Sequence, residues 1–474
     1  MFSLSRTRLK PIALFATAVL ALFAISAVRA ADGADAPRPV PLTRPELKQL
    51  IESVKHREPR IPLPELTAED RRQLGERADD YESVLRYLYT PWEESRRRSR
   101  GGASGTRGSR GAREQDPKMT LDYAFKTQLF WIVSRTNNCQ YCIGHQESKL
   151  LGAGLSEDEI ASLDGDWLRH TPAERAAFAF ARKLTWQPHE LSDPDIDELR
   201  AYYTDLQILE MMLSIGRNNV LNRWKEGVGV PQREDEGGYS RSDDPALPRG
   251  TYLTPTSEKY QNLVTKVAPV VLDIGTGEPT RAAICRRPPL ESRDEVEAAL
   301  ARCRARTPRL PLVDDSEARR LLAEYAPEGP LPQWVRLLAN FPRDGVQSIA
   351  SIYTAEREGD LSPLLKAQLS WIIARQDRAW YALGEAQRRL RELGQSDEEI
   401  EQLDGGWSQF TPREQVLFTV AKGLAASPVV LTDGNVARAL EEAGPRDVVQ
   451  TIAYTTHRGS FNRITEAAGL QLEQ

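Results

Sequence analysis

"SRTNNCQYCIGHQESKLLGAG", residues 134–154, sets Cys139 and Cys142 in a C-x-x-C pair with His145 close behind. "ARQDRAWYALGEAQRRLRELG", residues 374–394, is the same segment with Ala379, Ala382 and Glu385 in those three places. An offset of 240 aligns the two without a gap, and the alignment extends in both directions. Upstream, Lys126, Gln128, Leu129, Trp131, Ile132 and Arg135 face Lys366, Gln368, Leu369, Trp371, Ile372 and Arg375. Downstream, "LDGDW" from Leu163 faces "LDGGW" from Leu403, and Thr171, Pro172 and Glu174 face Thr411, Pro412 and Glu414. Asn222 and Arg223 still match Asn462 and Arg463. A single register held over that span reads as a duplication. "PRIPL" from Pro59 and "PRLPL" from Pro308 give a fainter echo. The framework persists while all three chemically able residues are lost from the second copy, which suggests that they act as one unit in the first.

Each copy reads as helical. Leu121, Phe125, Leu129, Ile132 and Val133 recur at helical spacing, and Asn137-Asn138 interrupts before a second helix, from about Cys139 to Leu151, that stops at Gly152 and Gly154. "SEDEI" at Ser156 and "TPAE" at Thr171 have the cap-plus-acid pattern of helix starts, the latter with proline at the first helical position. "SDPDIDELRAYY" and "LQILEMMLSIGRNNVLNRW" close the unit. The best strand candidate is "VAPVVLDIG" from Val267, between the copies.

The 474 residues, 28% charged and 40% hydrophobic with a net charge of -5, are ordinary for a globular chain of two to three domains and give no hint of a nucleic-acid partner. The first 30 residues stand apart: basic "MFSLSRTRLK", apolar "PIALFATAVLALFAISA", then small residues in "VRA". They read as a secretory signal cleaved after Ala30, with an uncleaved N-terminal membrane anchor as the competing reading. The expected layout is a signal over 1–30, a helical domain over 41–225, a Gly/Pro/Asp/Ser-rich linker over 226–289 and a degenerate helical domain over 290–474. The Arg/Gly-rich insertion near 95–114 reads as a solvated loop, with an anionic surface partner as the alternative.

The cysteine pair admits several readings. A c-type haem anchor requires histidine directly after the second cysteine, where Ile143 stands. Structural zinc requires four ligands, and Cys285 and Cys303 are wrongly spaced for a second knuckle. A structural disulfide fits an exported chain, but so short a loop removes little chain entropy. Redox chemistry explains more. Asn137 or Asn138 as N-cap would leave Cys139 in the first helical turn and Cys142 a turn further in, where free amides and the helix dipole favour thiolate. His145, three residues after Cys142, shares its helical face and is placed to exchange a proton with it.

At "FKTQLFWIVSRTNNCQYCIGHQESKLLGAGLS" the chain resembles the alkylhydroperoxidase D-like (AhpD-like) proteins of the carboxymuconolactone decarboxylase superfamily, and "LLANFPRDGVQSIASIYTAEREGDLSPLLKAQLSWIIAR" is similar to the helices ahead of that motif. The resemblance implies an all-α fold of two tandem AhpD-like helical domains joined by an irregular linker. It also implies thiol redox chemistry in which Cys142 attacks and Cys139 resolves. Helices from two domains pack together in that family, and a tandem repeat supplies such a pair. Two positions depart from the family pattern: Gln146 holds its usual histidine slot, with His145 one residue early, and Thr127 and Ala367 stand where its relay glutamate would fall.

The expectation is therefore an exported, peroxidase-like thiol oxidoreductase with Cys142, Cys139 and His145 as catalytic residues, and no metal or cofactor. Its partners would be a peroxide or disulfide substrate and a thiol reductant, with homo-oligomerisation of the tandem chain in view. The rival is a non-catalytic scaffold or binding protein of the same fold, its cysteines locked as a disulfide. Cys285 and Cys303 would bridge each other or remain free or intermolecular thiols. Trp131 and Trp371 read as core, and His170 and Glu147 as solvated.

Overall fold

The computed structural model describes residues 36–90, 116–232, 250–269, 287, 289–323 and 329–473. The leader, the Arg/Gly-rich insertion and Cys285 lie outside the described residues. The architecture is all-helical. Among the described residues the sole β feature is an isolated antiparallel bridge from Thr43 to Val264. Val267 and Ala268 lie in a bend, so the strand expected from Val267 is not formed there, and its remainder from residue 270 lies outside the described residues.

The first unit contains α1 (Arg44–Ser53), α2 (Tyr81–Tyr89), α3 (Tyr123–Asn137), α4 (Gln140–Gly152), α5 (Pro172–Trp186) and α6 (Asp205–Val228). The second contains α7 (Pro363–Asp377), α8 (Trp380–Glu392), α9 (Pro412–Ala425) and α10 (Asp433–Ala467), the last broken at Gly444, φ 76°, ahead of Pro445. α3 and α7 begin and end 240 residues apart, as do α4 and α8. Local chemistry sets these boundaries. Asp122 caps α3 by accepting from the Phe125 amide at 3.0 Å, and Ser362 caps α7 through the Leu365 amide at 3.1 Å. Both helices end in a left-handed residue, Asn138 and Arg378. α5 and α9 both start with a Thr–Glu capping box and proline at the first position, as their sequences predict.

α3 packs on α4, α5 and α6, and α7 on α8, α9 and α10, while α6 and α10 cross at the centre and join the halves. Glycine lets that crossing close: a Cβ on Gly227 would lie 2.6 Å from Ile452 Cγ2, and one on Gly216 would lie 2.7 Å from Ser460 Oγ. The crossing is reciprocal. Arg223 Nη2 donates to the Ala425 carbonyl at 3.2 Å, and Arg463 Nε donates to the Thr185 carbonyl at 3.1 Å. Both donors and both acceptors are separated by the same 240 residues. Trp131 and Trp371 are buried in the continuous apolar core, as expected.

Two surface assignments are corrected by packing. Glu147 is 1% exposed, gripped by Nη1 and Nη2 of Arg44 and by Trp131 Nε1 at 3.2 Å. Burial alone would raise its carboxyl pKa, but Arg44 and Lys48 hold it below the usual value. His170 is half-buried, edge-on to Phe178, with Nε2 3.0 Å from Ser162 Oγ. Neither partnership is visible in local periodicity, because Arg44 lies far upstream and Phe178 belongs to the next helix. Residues 250–269 return over the first unit: the Thr265 amide donates to Leu42 O at 2.8 Å, and Tyr252 lies against Gly144.

Candidate functional site

Cys139 and Cys142 are joined as a disulfide with Cα atoms 5.3 Å apart. Neither Asn137 nor Asn138 caps α4. Asn138 is the left-handed end of α3, so Cys139 itself becomes the N-cap, and its sulfur accepts from the Cys142 amide at 3.3 Å. Asparagine suits both a helix start and a left-handed helix end, and here the second role prevails. Cys142 consequently lies at the third helical position, still within the turn whose amides lack helical partners. Cys139 is fully buried and Cys142 is 4% exposed. Cys142 is thus the less buried residue of the two.

Next to the sulfurs is a buried polar network. Asn137 Nδ2 donates to Asn219 Oδ1 at 2.9 Å and to Asn222 Oδ1 at 3.1 Å. Asn222 and Asn218 donate to Ser134 Oγ at 3.1 and 3.3 Å, and the Ser134 carbonyl accepts from the Cys139 amide at 2.9 Å. Ser427 of the second unit donates to Asn137 Oδ1 at 3.0 Å and accepts from Arg223 at 2.6 Å. Burial with Arg463 nearby depresses the Arg223 pKa. The sequence signal for this network is the cluster Asn218, Asn219, Asn222 and Arg223 following the largely apolar run 208–215 in one helix. Ser427 carries no such signal.

His145 is half-buried on α4, its ring stacked on Tyr141 with centroids 6.3 Å apart. Lys225 Nζ lies 4.3 Å from the Tyr141 ring centre and pairs with Glu82. Burial would raise the Glu82 carboxyl, but Lys225 and Arg86 outweigh it and lower its pKa to about 2. A carboxylate depressed by folding contributes stability above its unfolded pKa, and that contribution disappears as pH falls through the folded value. Glu82 should therefore stabilise the chain by on the order of 3 kcal/mol near neutrality, with the loss falling between the ordinary carboxylate range and pH about 2. Urea unfolding of Glu82→Gln against pH tests this: the variant should be less stable at neutral pH and converge on the parent in acid. Parallel curves would refute it.

Thr127 offers no carboxylate for a proton relay, its hydroxyl donating to Tyr123 O at 2.8 Å, and Ala367 is buried. Glu147 is engaged as above, and Glu210 accepts from the Thr120 and Leu121 amides and from Lys126. In the second unit Ala379 and Ala382 are fully buried, and burial raises the pKa of Glu385. Cys303 is a free, buried thiol 3.7 Å from the Leu470 carbonyl, pushed up to about 11 by burial. Its suggested partner Cys285 lies outside the described residues. Among the described residues no cluster of three or more His, Cys, Asp or Glu side chains is placed to hold a metal, and no helix is long and apolar enough to cross a membrane.

Residues 132–183, from the second half of α3 into α5, match the model of the Carboxymuconolactone decarboxylase family. The matched segment contains Cys139, Cys142 and His145. No curated protein matches the sequence.

Proposed function

We propose that this family segment makes the chain an exported thiol oxidoreductase of the peroxidase kind, with Cys139 and Cys142 cycling between dithiol and disulfide. The observation that carries the reading is the placement of both sulfurs in the first turn of α4, with Cys142 the less buried. In the reduced chain the helix dipole favours a thiolate in this first turn, and the attacking role is assigned to Cys142 as the less buried of the two. That thiolate attacks the terminal oxygen of a hydroperoxide. The O–O bond breaks, Cys142 becomes a sulfenic acid, and the departing alkoxide takes a proton to leave as alcohol. The Cys139 thiol then attacks the Cys142 sulfur, forming the S–S bond and releasing water. Two electrons have passed from the dithiol to the peroxide, and an external dithiol restores the pair by exchange. The leader sequence supports export, so the reductant would be a thiol available outside the cytosol. The sulfur-free second unit would serve as the packing partner.

Burial of both sulfurs favours a second reading, a scaffold with a locked disulfide. Thiol counting with and without reductant, followed by peroxide consumption with dithiothreitol, separates the two. Two additional thiols and sustained consumption support the enzyme; a bond that resists reduction in the folded chain, with no consumption, supports the scaffold.

His145, one turn from Cys142, is the proposed base. A general base contributes about 100- to 10,000-fold, so His145→Gln should slow thiolate reaction near neutral pH by that order and raise the apparent thiol pKa. Stopped-flow peroxide reduction across pH measures both. A loss under about threefold with an unchanged profile would leave the helix terminus as the main activator.

A further inference from the structure

We propose that a cavity between the two halves, lined by neither cysteine, binds an organic anion with a flat apolar body. The cavity has a volume of about 690 Å³, and its walls include Trp186, His189, Arg378, Trp407, Lys422 and Asn435. That size falls in the usual range for small-molecule sites, about 300–1,000 Å³. Two indoles supply apolar surface, while the polar groups are mainly donors.

The donors on the lining residues suit an anion, Lys422 foremost. Lys422 has no carboxylate within ion-pair distance among the described residues, and its ammonium lies 5.4 Å from the Trp407 ring centre. His189 Nε2 is 3.0 Å from Arg378 Nη1, and a guanidinium only donates, so Nε2 accepts and Nδ1 carries the proton. Nδ1 is buried without a partner. Burial, Arg378 and Arg287 lower this histidine's pKa to about 4, which keeps the ring neutral at pH 7. Asn435 Oδ1 accepts from the Thr432 amide at 3.2 Å, leaving its Nδ2 to donate. The acids nearby are largely committed: Glu291 pairs with Arg378 and Arg287, and Asp377 with Arg463. Glu190, bonded by Gln187, is the acid on the exposed rim.

The first unit shows what these positions accept. Arg182, the counterpart of Lys422, donates through Nε to the Val267 carbonyl at 2.7 Å. Asn138, the counterpart of Arg378, donates to the Pro39 carbonyl at 3.0 Å. There the chain brings its own oxygens and buries Val267 completely. In the second unit the equivalent cation faces an open cavity, which an exogenous oxyanion would complete.

The test is fluorescence titration of the full oxidised chain with naphthoate and with neutral naphthylmethanol. Naphthoate should quench tryptophan emission saturably and bind about tenfold or more tightly than the alcohol. Lys422→Met, at an exposed position, should cost naphthoate about tenfold and leave the alcohol unchanged. Thr419→Trp, filling the cavity from α9, should abolish both with unaltered thermal unfolding. No saturable binding at millimolar concentration, equal affinity for acid and alcohol, or indifference to Lys422→Met would overturn the proposal. Binding requires neither sulfur, so such a failure would leave the thiol reading untouched.

Discussion

Cys142→Ser is expected to abolish peroxide reduction altogether, whereas Cys139→Ser should reduce one equivalent and then stop. The asymmetry follows from how α4 begins. Cys139 is the N-cap, fully buried, and its sulfur faces the Cys142 amide. Cys142 is at the third helical position and retains slight exposure. On the proposed thiol chemistry, Cys142 would be the attacking residue and Cys139 the resolving one. Without Cys139 the sulfenic acid has no partner one turn away and should be trapped by a dimedone-type reagent, giving one adduct by mass spectrometry. Single-turnover reactivity in Cys142→Ser equal to that of the parent would reverse the roles. Full turnover in both variants would remove the pair from the chemistry.

Expression of residues 31–235 alone should yield a self-associating protein in place of a stable monomer. Truncation uncovers the face of α6 that Ile452, Ser460 and Ile464 normally cover, and it removes the carbonyl and hydroxyl partners of Arg223 at Ala425 and Ser427. Arg223 keeps Asn219 as an acceptor and gains water, so the driving force is the exposed apolar face, which seeks cover. A second copy of the fragment carries its own Thr185 carbonyl, the counterpart of the one lost. Light scattering should report dimers or larger species, and thermal unfolding should depend on concentration. A monodisperse monomer with unaltered melting would show that the second half is dispensable for folding the first.

What the sequence reveals here tracks the range of the interactions involved. The start of α5 is legible because Thr171 and Pro172 act within a turn of themselves. The cysteine pair and His145 stand out in the sequence because Ala379, Ala382 and Glu385 hold the places 240 residues later. The cap of α4 is not legible, because local rules favour Asn138 equally for two roles and only the turn between α3 and α4 decides. Glu147 reads as surface until Arg44, from a distant helix, is brought beside it. The contact of Ser427 with Asn137 spans the two halves and has no local signature. Nor does the cavity, since its openness depends on which hollow the chain happens to fill.

The reciprocal reach of Arg223 and Arg463 is the contact pattern of a two-fold dimer written into one polypeptide. In a true homodimer every substitution appears twice, so a change that benefits one site is imposed on the other. Here each side of the axis has its own codons. Alanines can stand at 379 and 382 while cysteines remain at 139 and 142, and the ratio of cysteine-bearing to alanine-bearing halves is fixed at synthesis. Dilution, which separates the subunits of an ordinary dimer, cannot alter it.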